Sequence, residues 1–176
     1  MAIADVKLLT PPIFRDARGF FSETWNARLM AEHGIAANFV QDNHAFSADK
    51  GTLRGLHFQR GPMAQDKLVR VTRGAVFDVA VDIRPGSPTF GRHVSAILSN
   101  ANWAQLWVPK GFAHGYLTLE PDTEVGYKVT AYYAPAHDAG IAWDEPALAI
   151  DWPVARRAVI LSEKDQRQPR LADATL

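Results

Sequence analysis

The spacing of the turn signals constrains this chain more than any other feature. Apolar or alternating runs recur along it, each cut short by Gly, Pro, Asn or Asp. They are Val6 to Leu9, Phe20 to Trp25, Phe39 to His44, Leu53 to Gln59, Leu68 to Thr72, Ala75 to Ile83, His93 to Leu98, Gln105 to Val108, Ala113 to Leu119 and Glu124 to Tyr133. Each run is too short for an amphipathic helix but right for a strand. Thr10-Pro11-Pro12, Arg73-Gly74 and Arg84-Pro85-Gly86-Ser87-Pro88 break the pattern where a strand must stop. No helix-length segment alternates with the strands, so parallel βαβ units are excluded. The chain must bury its strands against one another, in an all-β sandwich or barrel. Two short helices are expected. Asn26 can cap Ala27 to His33, which Gly34 ends, and Ser162-Glu163-Lys164-Asp165 reads as a capped helical turn.

The bulk numbers narrow the function. A chain of 176 residues is long enough for one full core, so a single domain over residues 1–176 is expected. Lys plus Arg and Asp plus Glu are both 19, which argues against a dedicated nucleic-acid binder. There is no cysteine, so disulfides, thiolate metal sites and a cysteine nucleophile are excluded. The start of the chain has neither a basic region nor a long apolar run, and no window reaches a membrane span. No membrane partner and a cytoplasmic location are expected.

The stretch Gly51 to Gln59 carries the first chemical signal. Simple alternation places Leu53, Gly55, His57 and Gln59 on one face and Arg54, Leu56 and Phe58 on the other. Alone, His57 fits a core imidazole satisfied by a carbonyl as well as it fits a catalytic group. The stretch also begins a metal motif of the jelly-roll cupins, G-x5-H-x-H, with Gly51 and His57. The motif then fails: the second histidine is Gln59, and the later ligand region is Asp66-Lys67. The second cupin motif is present as Pro109-Lys110-Gly111-Phe112-Ala113-His114. An ammonium repels a divalent cation, so His57, His114 and Lys67 do not make a metal site. No metal is expected. A base beside cationic donors suits proton abstraction next to a carbonyl, where a positive charge stabilises the enolate. A second proton donor on the opposite face, for which Tyr127 is a candidate, turns abstraction into epimerisation. There is no P-loop, no dinucleotide fingerprint and no nucleophile elbow.

Taken in order, the motifs resemble one family along nearly the whole chain. They include Phe14 to Glu23, Gln41-Asp42-Asn43-His44, Leu53 to Gln59, Gln65 to Arg70, Phe77 to Arg84, Ser87 to Gly91, Gln105 to Gly115, Tyr127 to Thr130 and Leu161 to Asp165. The sequence resembles the dTDP-4-dehydrorhamnose 3,5-epimerases of deoxysugar nucleotide biosynthesis. That resemblance implies an all-β, cupin-type jelly roll (a double-stranded β-helix) with a few short helices. It implies epimerisation at C3 and C5 of dTDP-4-dehydro-6-deoxy-D-glucose without a cofactor. A relative inverting only C3 or only C5 would keep the same residues. By the resemblance, His57 is the base, Asp165 orients it, Tyr127 is the acid on the opposite face, and Lys67 steadies the enolate oxygen. Arg18, Glu23, Gln41, Asp42, Asn43, Arg54, Lys67, His114 and Lys164 match substrate-binding positions, and Tyr133 looks like the platform for the thymine. Asp138 stands where the family usually has Glu. The resemblance also implies a homodimer, with the N-terminal segment and its Arg18 and Glu23 completing the partner's site. Strand parity sets Arg54 and His57 on opposite faces. A bulge, a phosphate contact from the sheet edge, or a contact across a subunit interface would each reconcile the two.

Overall fold

The computed structural model describes residues Met1–Leu176. Twelve strands form: β1 (Lys7–Leu9), β2 (Phe14–Asp16), β3 (Gly19–Phe21), β4 (Gln41–Ser47), β5 (Leu53–Gln59), β6 (Lys67–Arg73), β7 (Ala75–Asp82), β8 (His93–Ser99), β9 (Gln105–Val108), β10 (Phe112–Thr118), β11 (Thr123–Val129) and β12 (Asp138–Gly140). Two short α-helices join them, α1 (Ala27–Glu32) and α2 (Glu163–Gln166). All pairing between strands is antiparallel. One five-stranded sheet has the order β1-β9-β6-β11-β4, and the other β12-β5-β10-β7-β8. The turn spacing led to an all-β sandwich or barrel, and the resemblance to this jelly roll.

The core has two layers because the second sheet is covered on both sides. Between the sheets, Val69, Val71, Val76, Ala80, Leu98, Leu106, Val108, Phe112 and Val125 pack together. On the outer face of the second sheet, Leu53, Leu56, Phe58, Val79, Val81, Ile83, Ala113 and Leu117 are covered by the C-terminal segment through Ile141, Leu148 and Trp152. Both faces of β7 are therefore buried, and Asp78 and Asp82 lie fully inside, not on a solvated face. Asp82 is satisfied by Arg84, Ser87 and Thr89. These bonds close the loop that Pro85 and Gly86 turn.

Three run boundaries differ from the sequence reading. The strand read over Phe20 to Trp25 is only Gly19–Phe21, because β2 and β3 form a separate two-stranded hairpin with all six residues exposed. Trp25 instead packs edge-on against Phe39, with ring centroids 4.6 Å apart. The strand at Gln41 runs on to Ser47, held by pairing with β11 that polarity alone did not suggest. The run to Tyr133 stops at Val129. Beyond it, side chains take over the backbone bonding: Gln65 donates to the Ala131 carbonyl, and Gln59 to the Tyr132 carbonyl. The helix at Ala27 forms with Asn26 as its N-cap, accepting from the Leu29 amide at 3.1 Å. Gly34 follows at φ 75°, where a glycine ends a helix readily. No helix is long and apolar enough to cross a membrane.

Candidate active site

The bulge in β5 decides which side chains meet. β5 pairs with β10 as His57↔His114 and Arg54↔Tyr116, so three residues on β5 span two on β10. The extra residue reverses the alternation. Leu53, Leu56 and Phe58 belong to the outer core layer, while Arg54, His57 and Gln59 line one cavity between the sheets. Of the three reconciliations open in the sequence, the structure contains the bulge. Gly55 makes it possible. Its φ is 137°, and a Cβ there would lie 2.5 Å from the Gly115 Cα and 2.9 Å from the His114 carbonyl oxygen.

The cavity holds about 370 Å³, a usual size for a small-ligand site. The second sheet contributes His57 and Arg54 from β5, His114 and Tyr116 from β10, and Asp138 from β12. The first sheet contributes Lys67 from β6 and Tyr127 from β11. The candidate base and the candidate acid thus approach the space from opposite sheets.

Asp165 reaches His57 by two steps. Ser162 caps α2: the Asp165 amide donates to Ser162 Oγ at 3.1 Å, and that hydroxyl donates to Asp165 Oδ2 at 2.9 Å. Ile160 bridges to Thr52, and its amide and carbonyl bond Gly51 and Leu53 at 2.9 Å each, which docks this segment on the start of β5. The other carboxylate oxygen of Asp165, Oδ1, then bonds His57 Nε2. Nδ1 is left as the ring nitrogen that can take a proton. Burial by itself would raise the Asp165 carboxyl. The bond from His57 and its charge, the Ser162 hydroxyl and the Lys164 ammonium hold it below the ordinary carboxylate value.

Lys67 is buried, and its Nζ donates to the His57 carbonyl at 3.3 Å. Burial lowers it from 10.5 to about 8. The charges of Asp78 and Asp138 oppose the fall, and that of Lys164 adds to it. His114 is fixed from behind by Asp78, with Nε2 2.8 Å from Oδ1. Burial raises the Tyr127 phenol and the Arg54 charge opposes this, so Tyr127 stays protonated at neutral pH. Arg54 is held by β4, donating to the Phe46 carbonyl at 3.0 Å and to Ser47 Oγ at 3.3 Å.

Tyr133 stands at the rim and is exposed. Its hydroxyl donates to Asp138 Oδ2 at 3.1 Å, and Lys164 bonds the same oxygen. The chain here is no strand, although the run from Glu124 reads as one as far as Tyr133. Gln59 holds the segment instead, through the Met63 and Tyr132 carbonyls and the Ala134 amide. The residue at the missing metal-ligand position is thus the clamp for the rim tyrosine.

Not every residue named from the sequence joins this cavity. Gln41 accepts from the Tyr133 amide at 3.0 Å and donates to Asn43 at 2.7 Å, so both sit at the rim. Asp42 points to the other face of β4, where it pairs with Lys128 at 2.6 Å beside a separate cavity of about 290 Å³. Arg18 and Glu23 lie near the exposed hairpin, where Arg18 bonds only Asp16 and Glu23 accepts from Asn26. Within one chain neither reaches the site. The sequence reading did not assign six cavity residues, Ala45, Phe58, Gln59, Gln65, Tyr116 and Ser162, or the supporting Asp78. A charged residue inside the apolar run of β7 was the available signal for Asp78.

A family model described as dTDP-4-dehydrorhamnose 3,5-epimerase matches residues 1–173. A relative of that name from Escherichia coli is 56% identical over 167 residues, covering 94% of this chain and 89% of its own. The crystal structure of the Bacillus anthracis enzyme of that name, with TDP and PPi bound, is 52% identical with a TM-score of 0.91 and 94% coverage of both chains. The Legionella pneumophila dTDP-6-deoxy-D-glucose-3,5-epimerase, in complex with dTDP-4-keto-L-rhamnose, is 48% identical with a TM-score of 0.94, covering 98% of this chain and 91% of that one. With strand order, cavity and sequence in agreement, the chain belongs to the dTDP-4-dehydrorhamnose 3,5-epimerase family.

Proposed function

We propose that this protein inverts C3 and C5 of dTDP-4-dehydro-6-deoxy-D-glucose, giving dTDP-4-dehydro-L-rhamnose. The observation that carries the reading is the Asp165-bound His57 on one sheet and Tyr127 on the other, lining one cavity with Lys67. Both C3 and C5 are α to the C4 ketone, so their protons are the acidic ones. Proton transfer alone completes the reaction, and no redox cofactor is required.

His57 removes the proton through Nδ1, while Asp165 keeps Nε2 protonated and stabilises the imidazolium. The electrons move to the ketone oxygen, and the Lys67 ammonium meets the enolate there with His114 beside it. Tyr127 returns a proton to the opposite face, which inverts the carbon. Arg54 and Lys164 supply positive charge for the diphosphate. Tyr133, with Asp138, Gln41 and Asn43 around it, receives the thymine at the rim.

Arg18 and Glu23 complete the site of a partner in a homodimer. The solvent-facing Phe14, Phe20 and Phe21 of their hairpin support this, since such an apolar arm marks an interface. Asp42 belongs to the same outer surface. We take residues 1–176 to act as one domain, in the cytoplasm.

The test is incubation with the 4-keto sugar nucleotide in D2O, followed by NMR. Deuterium entering at both C3 and C5, with the L-rhamno product, is expected. Exchange at only one carbon would make the protein a single-centre epimerase, and no exchange would defeat the reading.

A further inference from the structure

Tyr116 is a second phenol in the cavity wall, and the mechanism above gives it no task. Its side chain is 5% exposed and packs in the inner core layer, against which Tyr127 also rests. One end of the ring is therefore apolar-packed, while the residue also lines the cavity. Its hydroxyl has no hydrogen-bond partner within the protein and is not sealed in the core, so it opens to the cavity. A phenol packed along its ring and open at its hydroxyl has one donor and acceptor capacity free for a ligand. A ligand that fills the cavity can take that bond.

The position says which part of the ligand that is. Tyr116 lies across from Arg54 on β5 and two residues along the same face from His114, whose ring centroid is 6.3 Å away. It is level with Arg54, whose guanidinium suits an anionic phosphate, and next along its face from His114, the imidazole beside the reacting ketone. Burial holds the phenol protonated, so it offers a neutral O–H at any working pH. A neutral donor and acceptor in that place matches a hydroxyl or ring oxygen of the hexose.

Resting on the epimerase reading, we infer that Tyr116 is a further substrate-positioning residue whose hydroxyl hydrogen-bonds the hexose of the bound sugar nucleotide. It holds the sugar, not the nucleotide, and takes no part in proton transfer.

The experiment compares the full-length wild type with Tyr116→Phe. Loss of one neutral hydrogen bond predicts a KM for the 4-keto sugar nucleotide raised about three- to tenfold, with kcat within about twofold. Affinity for dTDP alone, measured by calorimetry, stays unchanged, and Tm is equal or higher. A purely structural hydroxyl would move Tm and leave the split between sugar nucleotide and dTDP untouched. Unchanged KM, an equal loss of dTDP affinity, or a lowered Tm would each overturn the inference. If the wild type shows no deuterium exchange, the epimerase reading fails. The calorimetric comparison of dTDP with a dTDP-hexose still decides the role of Tyr116.

Discussion

Replacing Lys67 with Met separates the cost of burying an ammonium from its use. Lys67 falls from 10.5 to about 8 because folding removes it from water. Each unit is worth about 1.36 kcal/mol, so holding the charged form in the fold costs about 3 kcal/mol at neutral pH. The folded pKa lies below the unfolded one, so between about pH 8 and pH 10.5 the unfolded chain binds more protons, and this contribution to stability rises with pH. Met fills similar space without a charge. Tyrosines and other groups titrate in both proteins, and the packing change does not depend on pH, so both cancel when the two are compared. Urea unfolding at about pH 7 and about pH 9.5 should therefore show the variant's stability relative to wild type falling by about 2 kcal/mol as pH rises. Deuterium exchange should meanwhile drop about a hundredfold or more at neutral pH, because the enolate loses its cation. A stability difference that is the same at both pH values would refute the buried-ammonium argument. Full exchange activity in the variant would refute the role at the enolate.

Asp165→Asn should lower exchange about a hundredfold with little change in dTDP affinity, since it removes the carboxylate charge that stabilises the His57 imidazolium and replaces one of the two acceptor oxygens with a donor; NMR exchange rates measure this, and wild-type exchange would show that the pair is only structural. Tyr127→Phe should keep wash-in of deuterium by His57 but stop inversion, so NMR would find labelled starting material without product; normal product formation would remove Tyr127 as the acid. Gly55→Ala should destabilise the fold by about 3 kcal/mol or more in chemical denaturation, because alanine disfavours φ near 137° and its Cβ meets the Gly115 backbone. An unchanged denaturation midpoint would mean that β5 does not need the bulge.

What the sequence by itself determined follows from short-range physics. Turn residues cut the chain into strands, Asn26 capped α1, and Ser162 capped α2. The run of motifs also led to the family and to candidate residues, most of which line one cavity. Tertiary structure decided what depends on register and on partners far away in the chain. One extra residue at Gly55 turned Arg54 and His57 to the same cavity, because a period of two reverses every side chain after a single slip. The strand ended at Val129, not Tyr133, because Gln59 and Gln65 captured backbone groups beyond it. Asp78 and Tyr116 became part of the site only when β7 and β10 paired and the first sheet closed over them. Alternation of polar and apolar residues encodes a face. It does not encode which strand lies opposite, and the partner strand supplies both the burial that moves a pKa and the group that a buried polar atom must meet.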